Sequence, residues 1–338
     1  MTSPTMLLDA SALSTLATNP TGVMLYDRSH WGRIQLTGED RVRFLHNQSS
    51  NNLQARKSGE CCDTTFITST ARTIDLATAI LADRELIAIV APERRADLLP
   101  LLDRYIFPMD RVTLADITDD TLCFSAIGAG CMALCDRLGL AFPAAGTHHL
   151  AELTIAEQTI AIRLIGSSSL SSPGFTILTN AANHDLLWSH LIAAGATPIN
   201  TTAWETLRIL DGRPYPDREL TLDYNPLEAA LWHTVSFDKG CYIGQETIAR
   251  LNTYKGVKQQ LWGLQSDTVF EAGAALMLDD AKVGVVTSAI ATASGTIGLG
   301  YIRTKAGGAG LTLMVGDATV HSIDIPHATR GYLAEATV

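Results

Sequence analysis

The stretch "SFDKGCYIGQETIAR", Ser236 to Arg250, sets one cysteine between a Lys-Gly pair and a Gly-Gln-Glu triplet. Cys241 is the side chain there whose type could do chemistry, because a thiolate is both a nucleophile and a metal ligand. Gly240 and Gly244 leave the backbone free to turn sharply around it. "QETIARL" then has the composition of a helix that starts directly afterwards. Lys239 and the positive end of that helix would both favour a thiolate, while Glu246 would oppose it. The residues alone leave open whether the thiol reacts, holds a ligand or only fills space. Upstream lie Arg208, Asp211, Arg213, Asp223, Asn225 and Glu228. Charges between elements are usually solvated, so most of these are expected at the surface.

The other cysteines are Cys61, Cys62, Cys123, Cys131 and Cys135, with no C-x-x-C pair among the six. A disulfide framework does not suit a large chain of a reducing compartment. Cys131 and Cys135, four apart in "GCMALCDRLG", share one face of a predicted helix. Metal binding would need two further ligands, so they read as small buried apolar residues, and no metal ligands are assigned. His148 and His149, in "AAGTHHLAE", read as a solvated loop.

The elements that must position Cys241 follow from local pattern. "GRIQLTG" predicts a strand turning into a helix at "GEDRVRFLHNQ", with Thr37 as N-cap and Val42, Phe44 and Leu45 on the buried side. "TIDLATAILADRELIAIVAP" predicts two strands joined by a charged turn at Asp83–Glu85. "PERRADLLPLLDRYIF" predicts an amphipathic helix burying Leu98, Leu102, Tyr105 and Ile106. "RVTLADIT", "TLCFSAIG", "HHLAELTIAEQTIAIRLIG" and "GFTILTN" read as strands. "NHDLLWSHLIAAG" and "TAWETLRILDG" read as helices stopping at Gly195 and Gly212. Strand pairs interrupted by single helices predict an α+β fold of ferredoxin-like units, not a doubly wound parallel sheet. No dinucleotide or Walker pattern is present. Beyond Lys258, short strands punctuated by Gly, Asp and Ser predict a small antiparallel barrel or sandwich.

Composition bounds the function. The chain has 338 residues, 46% apolar and 18% charged, and a formal net charge of −10. That balance excludes disorder and disfavours a direct nucleic-acid partner, which needs a positive surface. No apolar run is long enough to span a bilayer. The first basic residue is Arg28, which fits neither a secretory signal nor a transit peptide, so a cytoplasmic location is expected.

"KGCYIGQE" resembles the K-G-C-Y/F-x-G-Q-E signature of the YgfZ-type folate-binding proteins, relatives of the glycine-cleavage T-protein (aminomethyltransferase). The match runs through Lys239, Gly240, Cys241, Tyr242, Gly244, Gln245 and Glu246. "LTGEDRVRFLHNQSSNNLQ", "DGRPYPDRELTLDYNPLEAAL", "KVGVVTSA", "GLGYIR" and "IDIP" are similar to other parts of that family. The resemblance implies a T-protein-like fold: two interwoven ferredoxin-like α+β domains and a C-terminal antiparallel β barrel. The boundaries expected are 1–50 with 146–257 for the first α+β domain, 51–145 for the second, and 258–338 for the barrel.

T-proteins themselves read K-x-D-F-I-G-R-E, so Cys241 and Gln245 replace an aspartate and an arginine. Their G-G-I-x-D-D stretch becomes "ARTIDLAT", keeping only Asp75, and their G-Y-T-G-E-D-G-F-E becomes "SLSSPGFT", without a carboxylate. Loss of those acids argues against aminomethyl transfer. The resemblance implies a monomeric accessory protein that binds tetrahydrofolate or another reduced folate. It would act with iron–sulfur assembly proteins or client enzymes, with an indirect effect on tRNA modification. Lys239, Gln245 and Glu246 would serve the Cys241 thiol. Asp75 would meet the pterin edge, Arg208 the tail carboxylate, and Arg250 would join the folate contacts. Structural roles for Asp75 and Arg208, the latter bridging inside its own helix, stand as the alternative to those contacts. A folate-dependent one-carbon transferase is the alternative function.

Overall fold

A computed structural model describes residues 22–337. The stretch read above for a targeting signal lies largely outside them. The chain opens with β1 (Met24–Asp27), β2 (Gly32–Thr37) and α1 (Arg41–Gln48). Thr37 is thus the last residue of a strand, paired with Glu85 and Thr113, and not the helix cap. Asp40 precedes the helix, and its carboxylate accepts from Arg111 N at 2.9 Å. Phe44 and Leu45 are buried as expected.

β3 (Cys61–Ile67), β4 (Thr73–Leu81) and β5 (Glu85–Val90) follow. β4 and β5 pair from Thr78↔Ile89 to Leu81↔Leu86, with the expected charged turn between them. α2 (Arg95–Asp103) buries Leu98 and Leu102 but ends before Tyr105, which is 39% exposed. Pro100 removes one N–H from that helix, and the apolar periodicity outlasts the hydrogen bonding. β6 (Thr113–Asp116), β7 (Thr121–Ile127), α3 (Cys131–Arg137), β8 (His148–Ile155), β9 (Gln158–Ile165) and β10 (Gly174–Asn180) continue the chain. His148 opens β8 as a buried residue, with Nε2 2.7 Å from the Leu81 carbonyl, and is not in a solvated loop. Burial lowers its pKa. α4 (His184–Ala193), β11 (Thr197–Ile199) and α5 (Thr201–Asp211) come next. α4 and α5 stop where glycines take positive φ, +102° at Gly195 and +81° at Gly212.

The chain forms two units. One gathers the chain up to Leu45 with Leu53–Cys62 and Ala77–Trp204; the other gathers His46–Asn52, Asp63–Leu76 and everything from Glu205. In the first, a six-stranded sheet runs β11-β1-β7-β10-β9-β8, with the β1–β11 pair parallel. Leu25, Phe124, Phe175 and Ile177 pack there against Cys131, Leu134 and Cys135 of α3 and Leu187 and Leu191 of α4. The remaining sheet is ordered β3-β4-β5-β2-β6.

In the second unit, α6 (Gln245–Thr253) leads into six strands: β12 (Gln259–Ser266), β13 (Ala275–Leu278), β14 (Ala281–Thr292), β15 (Gly295–Arg303), β16 (Thr312–Val315) and β17 (Ala318–Ile323). They close as an antiparallel barrel in the order β12-β15-β14-β13-β16-β17. Closure leaves no open sheet edge, which short strands with few apolar residues need. Trp262, Leu264, Leu276, Ile302, Leu313 and Val320 fill one core of it. No helix among the described residues is long and apolar enough to cross a membrane.

Candidate functional site: a clasped loop that exposes Cys241

The last carbonyls of any α-helix lack partners within it. After α1 the chain bends through 46–52, and three of its carbonyls converge on Lys239. Nζ donates to His46 O at 2.5 Å, Ser49 O at 2.7 Å and Asn51 O at 2.8 Å. An ammonium has three N–H groups, so all are used. Lys239 is 6% exposed, and its charge also lies 4.5 Å from the centre of the Tyr242 ring. Lys239 is thus a clasp whose three N–H groups are all committed to this bend. Asn47 O accepts from Ile243 N at 3.1 Å, so the same bend holds the motif on both sides of Cys241.

Tyr242 packs among Ile67, Ala71, Leu227, Trp232, Val235, Ile248 and Val257, and burial pushes its phenol up to about 12. Gly244 has φ +81° and forms the N-cap of α6. An added Cβ would stand 2.7 Å from Thr68 O and 2.9 Å from Ile67 Cδ1, so only glycine fits. At Gly240 an added Cβ would meet nothing, and nothing local demands glycine there. Gln245 Oε1 accepts from Tyr242 N at 3.4 Å, tying the loop to the first turn of the helix. Glu246 is exposed in that first turn and Arg250 in the last, each with the sign that complements the helix dipole.

Cys241 sits between these anchors and is exposed. Cys61, Cys123, Cys131 and Cys135 are buried and Cys62 is half-buried. Burial pushes Cys131 and Cys135 up to about 12, as suits packed thiols. No group of three or more His, Cys, Asp or Glu among the described residues is arranged to hold a metal ion.

The clasp carries a pH signature. His46 is 3% exposed, and burial, then the Lys239 charge, push its pKa down to about 4 from 6.5. Between those values the unfolded chain binds a proton that the folded chain refuses, so stability rises with pH. That part of the stability is lost as pH falls from about 6.5 to about 4. Urea unfolding at pH 7 and pH 5 should therefore show a smaller difference in His46→Gln than in the parent. An equal difference in both would place the acid sensitivity elsewhere.

The residues assigned to folate fare differently. Asp75 is 1% exposed on β4, and its Oδ1 accepts from Leu76 N at 2.8 Å. Arg208 is fully buried. Nε and Nη2 grip Glu205 at 2.8 and 2.6 Å, Nη1 donates to Glu219 at 2.9 Å and to Arg213 O at 2.8 Å, and Nη2 also donates to Ser288 Oγ at 2.9 Å. All five guanidinium N–H groups are taken, so Arg208 has none for a ligand carboxylate. The structural role given as the alternative, a bridge inside its own helix, is the one the structure shows, to Glu205 at 2.6 Å. Burial opposes its charge, but Glu219 and Glu205 hold the pKa above its ordinary value. Asp211, Arg213, Asn225 and Glu228 are buried as well, not surface decoration. Glu219, absent from the sequence reading, is fully buried at the centre of this network and also accepts from Thr287 and Ser288.

Residues 12–239 match the GCVT N-terminal domain family. The chain is 40% identical over 315 residues to the Arabidopsis thaliana protein named "Putative transferase At1g60990, chloroplastic", covering 91% of this chain and 72% of that one. It is 25% identical to the aminomethyltransferase of Halalkalibacterium halodurans, covering 78% and 73%. The crystal structure of the glycine cleavage system aminomethyltransferase T from Bartonella henselae superposes with a TM-score of 0.82 at 18% identity, covering 96% of this chain and 91% of that one. The fold is that of the T-protein.

Proposed function

Because the chain belongs to the GCVT N-terminal domain family, we propose that it is a tetrahydrofolate-binding accessory protein of the YgfZ type, serving assembly or repair of iron–sulfur clusters. Its partners would be iron–sulfur assembly proteins or client enzymes in the cytoplasm. Its effect on tRNA modification would run through them, without direct nucleic-acid contact, and it would work as a monomer. The observation that carries this reading is Cys241: an exposed thiol at the place where T-proteins have an aspartate, held by Lys239, Tyr242 and Gly244 around it. A thiol shown to solvent on a fixed loop suits transient contact with a cluster or a partner thiol. One cysteine alone cannot hold a cluster, for which four ligands are usual. Folate enters through family membership, since Arg208 does not fit as its tail contact.

The relatives named as transferases favour a second reading, a folate-dependent one-carbon transferase. The missing carboxylates in "ARTIDLAT" and "SLSSPGFT" weigh against it. Calorimetric titration with tetrahydrofolate tests the shared premise, and saturable binding is expected. No binding at high micromolar ligand would remove folate from the account. Methylene-tetrahydrofolate formation above background, with an aminomethylated lipoyl carrier protein supplied, would favour the transferase.

A further inference from the structure

A cleft of about 760 Å³ lies between the C-terminal turn of α6, the connection into β12 and the end of β15. Arg72, Lys255, Lys258, Arg303 and Lys305 line it, five cations on a chain whose net charge is −10. Among the described lining residues, Asp223 and Glu228 carry the carboxylates. Asp223 supplies its main-chain carbonyl to Arg72 Nη1 at 2.6 Å. Glu228 is 7% exposed, and its Oε2 is bound by Asn225 N at 3.2 Å and Nδ2 at 2.8 Å. Burial raises the Glu228 pKa against the pull of Arg72.

The backbone at Lys255 fixes how the helix ends at the rim of the cleft. α6 ends in a Schellman motif: Gly256 N donates to Leu251 O at 2.8 Å, and Lys255 N to Asn252 O at 3.3 Å. Lys255 itself takes φ +50°, where glycine or asparagine is the ordinary choice. A lysine occupies the disfavoured conformation at the rim of the cleft, while glycine stands one residue further on, where φ is not positive.

We infer that this cleft binds an anionic small molecule carrying two or more phosphate groups. Three of the five cations are lysines, compact point charges that suit phosphate oxygens, and the Arg72 fork is already committed in part to Asp223. The volume is in the range of ligand pockets and exceeds two phosphates, leaving room for an organic body. The inference does not depend on folate binding.

Calorimetric titration with inorganic pyrophosphate at low ionic strength tests it, with citrate as the carboxylate counterpart. One saturable site is expected for pyrophosphate, tighter than for citrate. Lys255→Gly should weaken it about three- to fivefold, the scale of one exposed charge, without lowering the melting temperature, because the glycine relieves the φ +50° position. The double variant Lys258→Glu, Arg303→Glu should lose binding by more than about tenfold, and Lys282→Glu, an exposed lysine outside the cleft, should leave it unchanged. No saturable heat at millimolar pyrophosphate would overturn the inference. So would tighter binding of citrate, or an equal loss in Lys282→Glu.

Discussion

Arg208→Ala is expected to destabilise the protein by about 3–5 kcal/mol, the scale for removing one partner of a buried ion pair. The size follows from what is left behind. Glu219 is fully buried and loses its Nη1 partner, Ser288 Oγ and Arg213 O lose a donor each, and Glu205 loses both arms of its fork. A buried carboxylate without its cation is the costly part. Arg208→Lys should recover only a fraction, because three N–H groups on one atom cannot reach acceptors spread around a planar fork. Urea unfolding checks both. A loss below about 1 kcal/mol for Arg208→Ala would mean that the network is replaceable by water. Folate affinity of the folded Arg208→Lys protein should be unchanged, whereas a selective loss of affinity would return the arginine to the ligand.

Gly244→Ala is expected to cost about 2–4 kcal/mol. A left-handed alanine accounts for about 1–2 of that, and the 2.7 Å approach to Thr68 O forces a backbone shift on top. The same substitution at Gly240, where an added Cβ meets nothing, should stay within about 0.5 kcal/mol. Both glycines belong to one motif, so the pair separates a steric requirement from a general one. Equal losses at the two positions would contradict the geometry.

The elements whose pattern is local were legible in the sequence. The β4–β5 hairpin, the helices stopped by Gly195 and Gly212, and the barrel strands all follow from turn residues and periodicity. What escaped depends on partners far along the chain. Thr37 looks like a cap until Thr113 and Glu85 pair with it across the sheet. Tyr105 keeps the apolar spacing of α2 after the helix has ended. Around Cys241, the exposed thiol and the following helix were readable. Lys239 was not, because the carbonyls of His46, Ser49 and Asn51 that hold it lie about 190 residues away. Arg208 had two readings, a folate contact or a bridge inside its own helix, and the structure shows the bridge, to Glu205. An arginine and several acids between Trp204 and Arg250 suggested a ligand or a solvated surface, yet they pair with one another inside the fold. Glu219, eleven residues beyond Arg208, is its second carboxylate partner and lies outside the helix, where helical spacing does not point.

The account turns on Cys241 as a working thiol on a loop that holds its shape without it. Cys241→Ala, expressed in cells lacking the protein and scored for restored iron–sulfur enzyme activity, measures this most directly, with thermal unfolding as the control for fold. Because the side chain is exposed, the melting temperature should stay within about 1–2 °C. Activity should not be restored, while Cys131→Ala, provided it still folds, should restore it. Full restoration by Cys241→Ala would contradict the account and leave the motif a purely structural clasp.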